Sequence, residues 1–297
     1  MALLSLRDVR IHDGVSGRDL VHGVSFSLAP GRAVGIVGES GSGKTLTCRA
    51  VLGILPEHFS LAGGEIELDD RDTARLTQRD WTALRGATVG AVFQDPASYL
   101  NPSLKVGTQI AEVVRVKKGA SRRDARRRAV ELLGAVRLRD PERVYRQYPH
   151  ELSGGMLQRV LIATAIAADP RLLIADEATT ALDVTVQAEI LDLLADLRER
   201  TGLALIVVSH DLAVVAQLCD EVLVLRAGEV VEQGPVERIL YEPRHEYTRL
   251  LIDQHERYGL DRFIERETGG YGPQPRRRTS AERRSEAGTE RELDHVA

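Results

Sequence analysis

The sequence predicts an α/β fold in which a mostly parallel sheet is crossed over by helices. Three observations carry the prediction. Short apolar runs of strand length alternate with segments whose apolar residues recur at helical spacing, from Ala33 to Leu218. One run, Ala33-Val34-Gly35-Ile36-Val37, passes through a glycine-rich turn into a helix-compatible segment, Leu46 to Leu55. Several runs end in polar residues able to do chemistry, at the sheet edge where open α/β folds bind ligands.

Taken in order, the chain begins with alternating strands. Leu4, Leu6 and Val9 form the first, and Val24, Phe26 and Leu28 lie at period two within Leu20–Leu28, with turns at Asp13-Gly14 and Ser16-Gly17. This is an N-terminal antiparallel β subdomain, closed by Pro30-Gly31. After the glycine-rich turn and its helix, Pro56 and Gly63-Gly64 bound a short strand, Glu65–Leu68. A helix over Thr77–Leu84 is capped by Thr77 with Asp80 three residues on. A buried-type strand, Ala87–Phe93, stops at Gln94-Asp95-Pro96, because proline cannot donate to a ladder.

From Ala97 to about Leu152 the pattern turns helical, with apolar faces at Ile110, Val113 and Val114 and at Ala129, Val130, Leu132, Leu133 and Val136. Beyond Gly154-Gly155 a helix over Leu157–Ala168 ends at Asp169-Pro170. A strand, Leu172–Ala175, then runs into Asp176-Glu177. Helix Val184–Arg200, strand Ala204–Val208 ending at Ser209-His210-Asp211, helix Leu212–Leu218 and a hairpin turned at Ala227-Gly228 complete the alternation.

The 297 residues suffice for one or two domains, and the net charge of −4 with a pI near 6.1 gives no global basis for binding nucleic acid. The run Ser121–Arg128 carries arginines without interleaved aromatics and reads as a solvated helix face. Cys48 and Cys219, both in apolar segments, read as buried free thiols of a reducing compartment. Apolar runs such as Val160–Ala168 fall short of the roughly 18 to 20 residues a spanning helix needs. With an N-terminus lacking a basic region and cleavage site, the chain is expected to be cytoplasmic.

The chemistry concentrates at four strand ends. Gly38-Glu39-Ser40-Gly41-Ser42-Gly43-Lys44-Thr45 is a G-x-x-x-x-G-K-T loop. Residues without Cβ let consecutive N–H groups face one concavity, and the helix that follows adds its positive end, so the loop cradles a polyphosphate. Lys44 reaches its β- and γ-phosphates and Thr45 places a hydroxyl on Mg²⁺. Asp176 is the carboxylate that holds the metal from the opposite side. Glu177, projecting differently, orients or deprotonates an attacking water. Gln94 offers an amide to both water and metal, and His210 a polar donor to the γ-phosphate. Leu152-Ser153-Gly154-Gly155-Met156 opens another helix with hydroxyl and N–H groups, a second anion site. Two such sites for one nucleotide make sense if two chains face each other head to tail, each nucleotide lying between one loop and the other chain's Ser153.

Together, Gly38–Thr45, Gln94, Leu152–Met156, Leu172–Glu177, Ala181-Leu182-Asp183 and His210 resemble the ATP-binding subunit of an ABC transporter, over roughly residues 3 to 255. Val37-Gly38-Glu39-Ser40, Phe93-Gln94-Asp95-Pro96, Leu100-Asn101-Pro102, Gln233-Gly234-Pro235 and Pro243–Thr248 are similar to the branch that powers dipeptide, oligopeptide and nickel importers. The resemblance implies a phosphate-loop NTPase domain over residues 1–255, with the helical subdomain at about 97–152 and a mixed sheet core. It implies two ATP with Mg²⁺ in a sandwich dimer with an identical or paralogous subunit. Asp183 then lies at the seam and Gln94 at the hinge. Two transmembrane permease subunits and an extracytoplasmic solute-binding protein are the further implied partners, and nucleic acid is not among them. The chain is thus expected at the cytoplasmic face of the membrane, with Tyr99 and Leu100 toward the permease.

Three features depart from the family pattern. Ile11-His12 stands where an aromatic usually lies under adenine, Met156 occupies signature position five, and a cysteine-rich extension after the core is absent. Residues 256–297 form a C-terminal extension, and from Glu265 on its charged composition, with almost no apolar residues, predicts disorder. Two other functions compete: a non-transport ABC ATPase acting on nucleic acid or ribosomes, and a small-molecule kinase, which leaves Ser153-Gly154-Gly155 unexplained.

Overall fold

The computed structural model describes residues 2–179 and 182–256; the predicted disordered tail and Ala181 of the Ala181-Leu182-Asp183 motif lie outside the described residues. Strands β1 (Leu4–Asp13) and β2 (Arg18–Leu28) pair as the expected antiparallel hairpin. Strand β3 (Ala33–Val37) enters the phosphate loop, and α1 (Lys44–Val51) starts inside it, two residues before the sequence pattern suggests. Strand β4 (Phe59–Leu68) is longer than expected, because Gly63 and Gly64 sit within it at an irregular register against β1. A Cβ on Gly64 would lie 2.3 Å from the Asp8 carbonyl oxygen, so the glycines mark close backbone approach rather than a strand boundary. With β5 (Arg71–Asp72) they complete a four-stranded sheet in the order β2-β1-β4-β5.

Helix α2 (Gln78–Leu84) carries the expected Thr77–Asp80 capping box. After β6 (Val89–Val92) come the helices of the insert: α3 (Pro96–Tyr99), α4 (Val106–Lys118), α5 (Arg122–Ala135) and α6 (Pro141–Arg146). Helix α7 (Gly154–Ala165) begins earlier than Leu157, since its N-cap is Ser153. The remaining elements are β7 (Leu172–Asp176), α8 (Val184–Thr201), β8 (Ala204–Ser209), α9 (Leu212–Leu218), β9 (Glu221–Arg226) and β10 (Glu229–Pro235). Two helices unforeseen from sequence follow, α10 (Val236–Tyr241) and α11 (Glu246–Glu256).

The second sheet has the order β10-β9-β3-β8-β7-β6, with β9, β3, β8, β7 and β6 parallel and β10 antiparallel at the edge. Its strands alternate between two cores. Ile36, Ile174 and Val208 face the first sheet with Leu6, Ile11 and Val24, while Val37, Leu173, Ala175 and Val207 face the helices with Ile162, Leu194 and Val215. Burial on both faces explains why these strands read as continuous apolar runs. The central consequence is positional: β3, β8, β7 and β6 end at one edge, bringing the loop, His210, Asp176-Glu177 and Gln94 to it.

Candidate active site

The loop is built by two glycines that nothing else could replace. Gly38 has φ 152, and a Cβ there would lie 2.1 Å from the Leu225 carbonyl oxygen of β9. Gly43, the N-cap of α1, has φ 97 and is pressed against Val21 of β2. Between them Glu39, Ser40 and Gly41 are exposed, while Ser42 is buried with no hydrogen-bond partner for its Oγ. The Gly228 N–H, in the β9–β10 turn, donates to the Ser42 carbonyl at 3.2 Å.

Lys44 is 4% exposed, and its Nζ donates to the Gly38 and Glu39 carbonyls at 2.7 and 2.8 Å. Burial pushes this ammonium below its usual range, opposed by the nearby Glu177 and Asp176 carboxylates. Thr45 Oγ1 donates to Asp176 Oδ1 at 3.1 Å across the end of β7. Burial raises the Asp176 carboxyl above the usual carboxylate range, with the Thr45 hydrogen bond working against it. Glu177 has a left-handed backbone (φ 51) and donates its N–H to Val208 of β8 at 3.0 Å, which turns its side chain off the line of β7.

Lys44, Thr45, Asp176 and Glu177 are thus gathered at one place. Gln94 and His210 stand exposed at the ends of β6 and β8. Gln94 is three strand spacings from β3, about 14 Å, so it meets the loop only across a ligand. Ser153 is exposed and accepts the Met156 N–H of its own helix at 3.4 Å. Among the described residues, Ser153–Met156 takes no part in the hydrogen bonds of the loop. Asp183, also exposed, caps α8 by accepting the Val186 N–H at 3.0 Å. Where the family's adenine aromatic would stand, His12 Nδ1 is held 2.7 Å from Asp19.

The fit to a nucleotide with a hard cation rests on this geometry. The orphaned Ser42 hydroxyl and the glycine cradle offer donors with no protein acceptor, and Thr45 with Asp176 offers a pair of oxygen ligands. Among the described residues no group of three or more His, Cys, Asp or Glu could hold a metal alone, as suits a cation shared with phosphates.

Cys48 and Cys219 are buried free thiols, and burial pushes both up. Arg126, Arg127 and Arg128 of α5 pair with Glu142, Asp124, Glu131 and Asp169 around an exposed helix face. No helix among the described residues is long and apolar enough to cross a membrane. Leu100 does not point outward as expected: it is 4% exposed, packed into the helical core. Tyr99 is half exposed and stacks on Phe93, 5.0 Å between ring centres. Phe93 in turn lines an apolar groove of about 480 Å³ with Leu52, Ile54, Arg85 and Val113. Sequence reasoning missed Tyr247, whose hydroxyl accepts the Glu39 N–H of the loop at 2.9 Å. The signal was the Pro243–Thr248 phrase, which carried a resemblance but no chemistry.

Sheet order, loop and paired carboxylates define a nucleoside triphosphatase of the phosphate-loop class. The family model described as ABC transporter matches residues 21–180. The chain belongs to the ABC transporter family and is one of its nucleotide-binding ATPases. It is 46% identical over 255 residues to the oligopeptide transport ATP-binding protein OppD of Bacillus subtilis, covering 84% of this chain and 71% of that one. It is 42% identical to the dipeptide transport ATP-binding protein DppD of Escherichia coli, covering 88% and 81%. A solved dimeric ATP-binding cassette, MJ0796, bound to ADP and Pi, matches with a TM-score of 0.70 at 30% identity, covering 78% of this chain and 98% of that one.

Proposed function

We propose that this ATPase energises the import of peptides, or a related small solute, through a separate permease at the cytoplasmic face of the membrane. The peptide branch is supported by the relatives' names together with the shared motif wording. The observation that carries the working unit is the exposed Ser153-Gly154 start of α7, an anion-binding helix end unused by the loop of its own chain. In a head-to-tail dimer with an identical or paralogous subunit, that end closes on the nucleotide held by the partner's loop. Asp183 stands at the seam.

Within one site, the loop amides, the Ser42 hydroxyl and Lys44 hold the β- and γ-phosphates. Thr45 and Asp176, with Gln94 from across the nucleotide, would hold Mg²⁺, which neutralises charge on the phosphate oxygens. Glu177 accepts a proton from the water whose oxygen attacks the γ-phosphorus, and the bonding pair of the broken link passes to the β-phosphate oxygen of ADP. His210 donates to the γ-phosphate. The groove at Phe93 receives a cytoplasmic helix of the permease, with Tyr99 stacked on the Phe93 ring. A solute-binding protein outside the membrane completes the system.

Reconstitution with the cognate permease tests this. ATP-dependent uptake is expected, reduced about 100-fold or more by Glu177→Gln, with an ATP-bound dimer accumulating on sizing chromatography. Uptake undiminished by that change overturns the assignment.

A further inference from the structure

The phosphate loop is fastened by a residue 208 positions away, and that fastening is itself supported. On β10 the Glu232 carboxylate is 8% exposed and accepts the N–H groups of Arg244 and His245, each at 3.0 Å. Those bonds fix the turn that leads into α11. The His245 ring follows, its Nδ1 accepting the Tyr247 N–H at 3.1 Å and so closing the first turn of the helix. Thr248, Leu251 and Ile252 of α11 are buried, which anchors the helix in the helical-side core. Tyr247 is 2% exposed, and the Arg226 guanidinium lies over its ring at 5.0 Å. Its rotamer is therefore set by packing on one side and a cation on the other. From that position its hydroxyl oxygen accepts the Glu39 N–H at 2.9 Å.

We infer that Tyr247 is a positioning residue for nucleotide binding: through the Glu39 peptide it holds the entry of the phosphate loop in the shape that receives phosphate. The Glu39 backbone is the shared fastening point. Its N–H goes to Tyr247, while its carbonyl accepts from Lys44 at 2.8 Å and from the Ser42 N–H at 3.2 Å. Lys44 gives two of its three ammonium protons to loop carbonyls. When Lys44 turns toward phosphate, those carbonyl bonds weaken, and the Tyr247 bond is the tie from outside the loop that persists at its exposed entry. It also commits the Glu39 N–H, so the ligand is met by amides further along the loop.

This rests on the reading of Gly38–Thr45 as the ATP site, and the experiment separates the two. Tyr247→Phe keeps the ring, its burial and the Arg226 contact and removes only the acceptor. In the full chain, titration with a fluorescent ATP analogue is expected to show Kd raised about three- to tenfold, the range of one lost hydrogen bond. KM for ATP should rise by the same factor with kcat within twofold, a split that a purely structural loss would not give. Kd and KM within twofold of wild type overturn the inference. Absence of nucleotide binding by the wild-type chain, or binding undiminished in Lys44→Ala, overturns instead the reading beneath it. Amide exchange on the unmodified protein gives an answer independent of any variant. Protection of the Glu39 N–H well above that of exposed Ser40 is expected, and equal rates overturn the inference.

Discussion

The phosphate loop and the Ser153 turn are both glycine-bearing helix starts at the surface of one chain, yet they stand in opposite states. At Gly38–Thr45 several groups are tied within the chain: Lys44 on two carbonyls, Thr45 on Asp176, the Ser42 carbonyl on Gly228 and the Glu39 N–H on Tyr247, with the Ser42 hydroxyl left over. At Ser153–Gly155 the hydroxyl serves only its own helix, and Ser153 and Gly154 lie open to solvent. A site assembled within the chain is insulated from a partner's arrival. One left open, in the proposed dimer, would close on the nucleotide of a partner's loop. On the proposed reading, the contrast is how a chain would hold nucleotide alone and hydrolyse it only in company.

The sharpest way to break that comparison is to damage each half separately. Lys44→Ala is expected to lower nucleotide affinity on the order of 100-fold, and Ser153→Arg to leave affinity within twofold while lowering hydrolysis by a similar factor. In an equimolar mixture each heterodimer regains one intact composite site, pairing the good loop of one variant with the good Ser153 of the other. Recovered ATP occlusion supports the two-chain site, and no recovery would break it.

A smaller effect separates binding chemistry from stability within the engaged half. Burial holds the Asp176 carboxyl above its unfolded value, so its charge costs stability once pH exceeds the folded pKa. The folded protein therefore loses stability as pH rises through the window between the two values. Asp176→Asn should melt about 2 to 4 °C above wild type at pH 7 without nucleotide, the gap narrowing toward pH 4, while hydrolysis is lost. A lower melting temperature at pH 7 contradicts this.

The smallest effect is expected on the α5 face. Changing Arg126, Arg127 and Arg128 to Gln removes exposed pairs worth at most about 1 kcal/mol each, so ATPase rate and ATP affinity should stay within twofold. Salt-dependent nucleic-acid binding that disappears in this variant would restore the competing function.

What could be read from sequence was whatever repeats at short range. The run Leu172–Ala175 ending in Asp176-Glu177 showed a buried strand and its reactive edge together, and Thr77 with Asp80 showed a cap, because both depend on neighbours along the chain. That Thr45 and Asp176 share one edge followed from each lying past the end of a strand; that they touch depends on the strand order, which the sequence does not state. Three features were not legible, each for a physical reason. Gly63-Gly64 looked like a break because composition does not reveal the close approach of Asp8. Leu100 looked like surface because its burial depends on how α3 packs against α7. Tyr247 was silent because a hydroxyl meeting a backbone N–H across 208 residues leaves no periodic trace.

The stack of Phe93 on Tyr99 has a mechanical consequence. Phe93 lines the apolar groove, and the next residue, Gln94, stands at the nucleotide edge of the sheet. Groove and edge are separated by a single peptide unit, about 3.8 Å of rigid chain. In the proposed complex, a permease helix seated in the groove would touch the residue immediately before Gln94, the shortest covalent path the chain offers between the two.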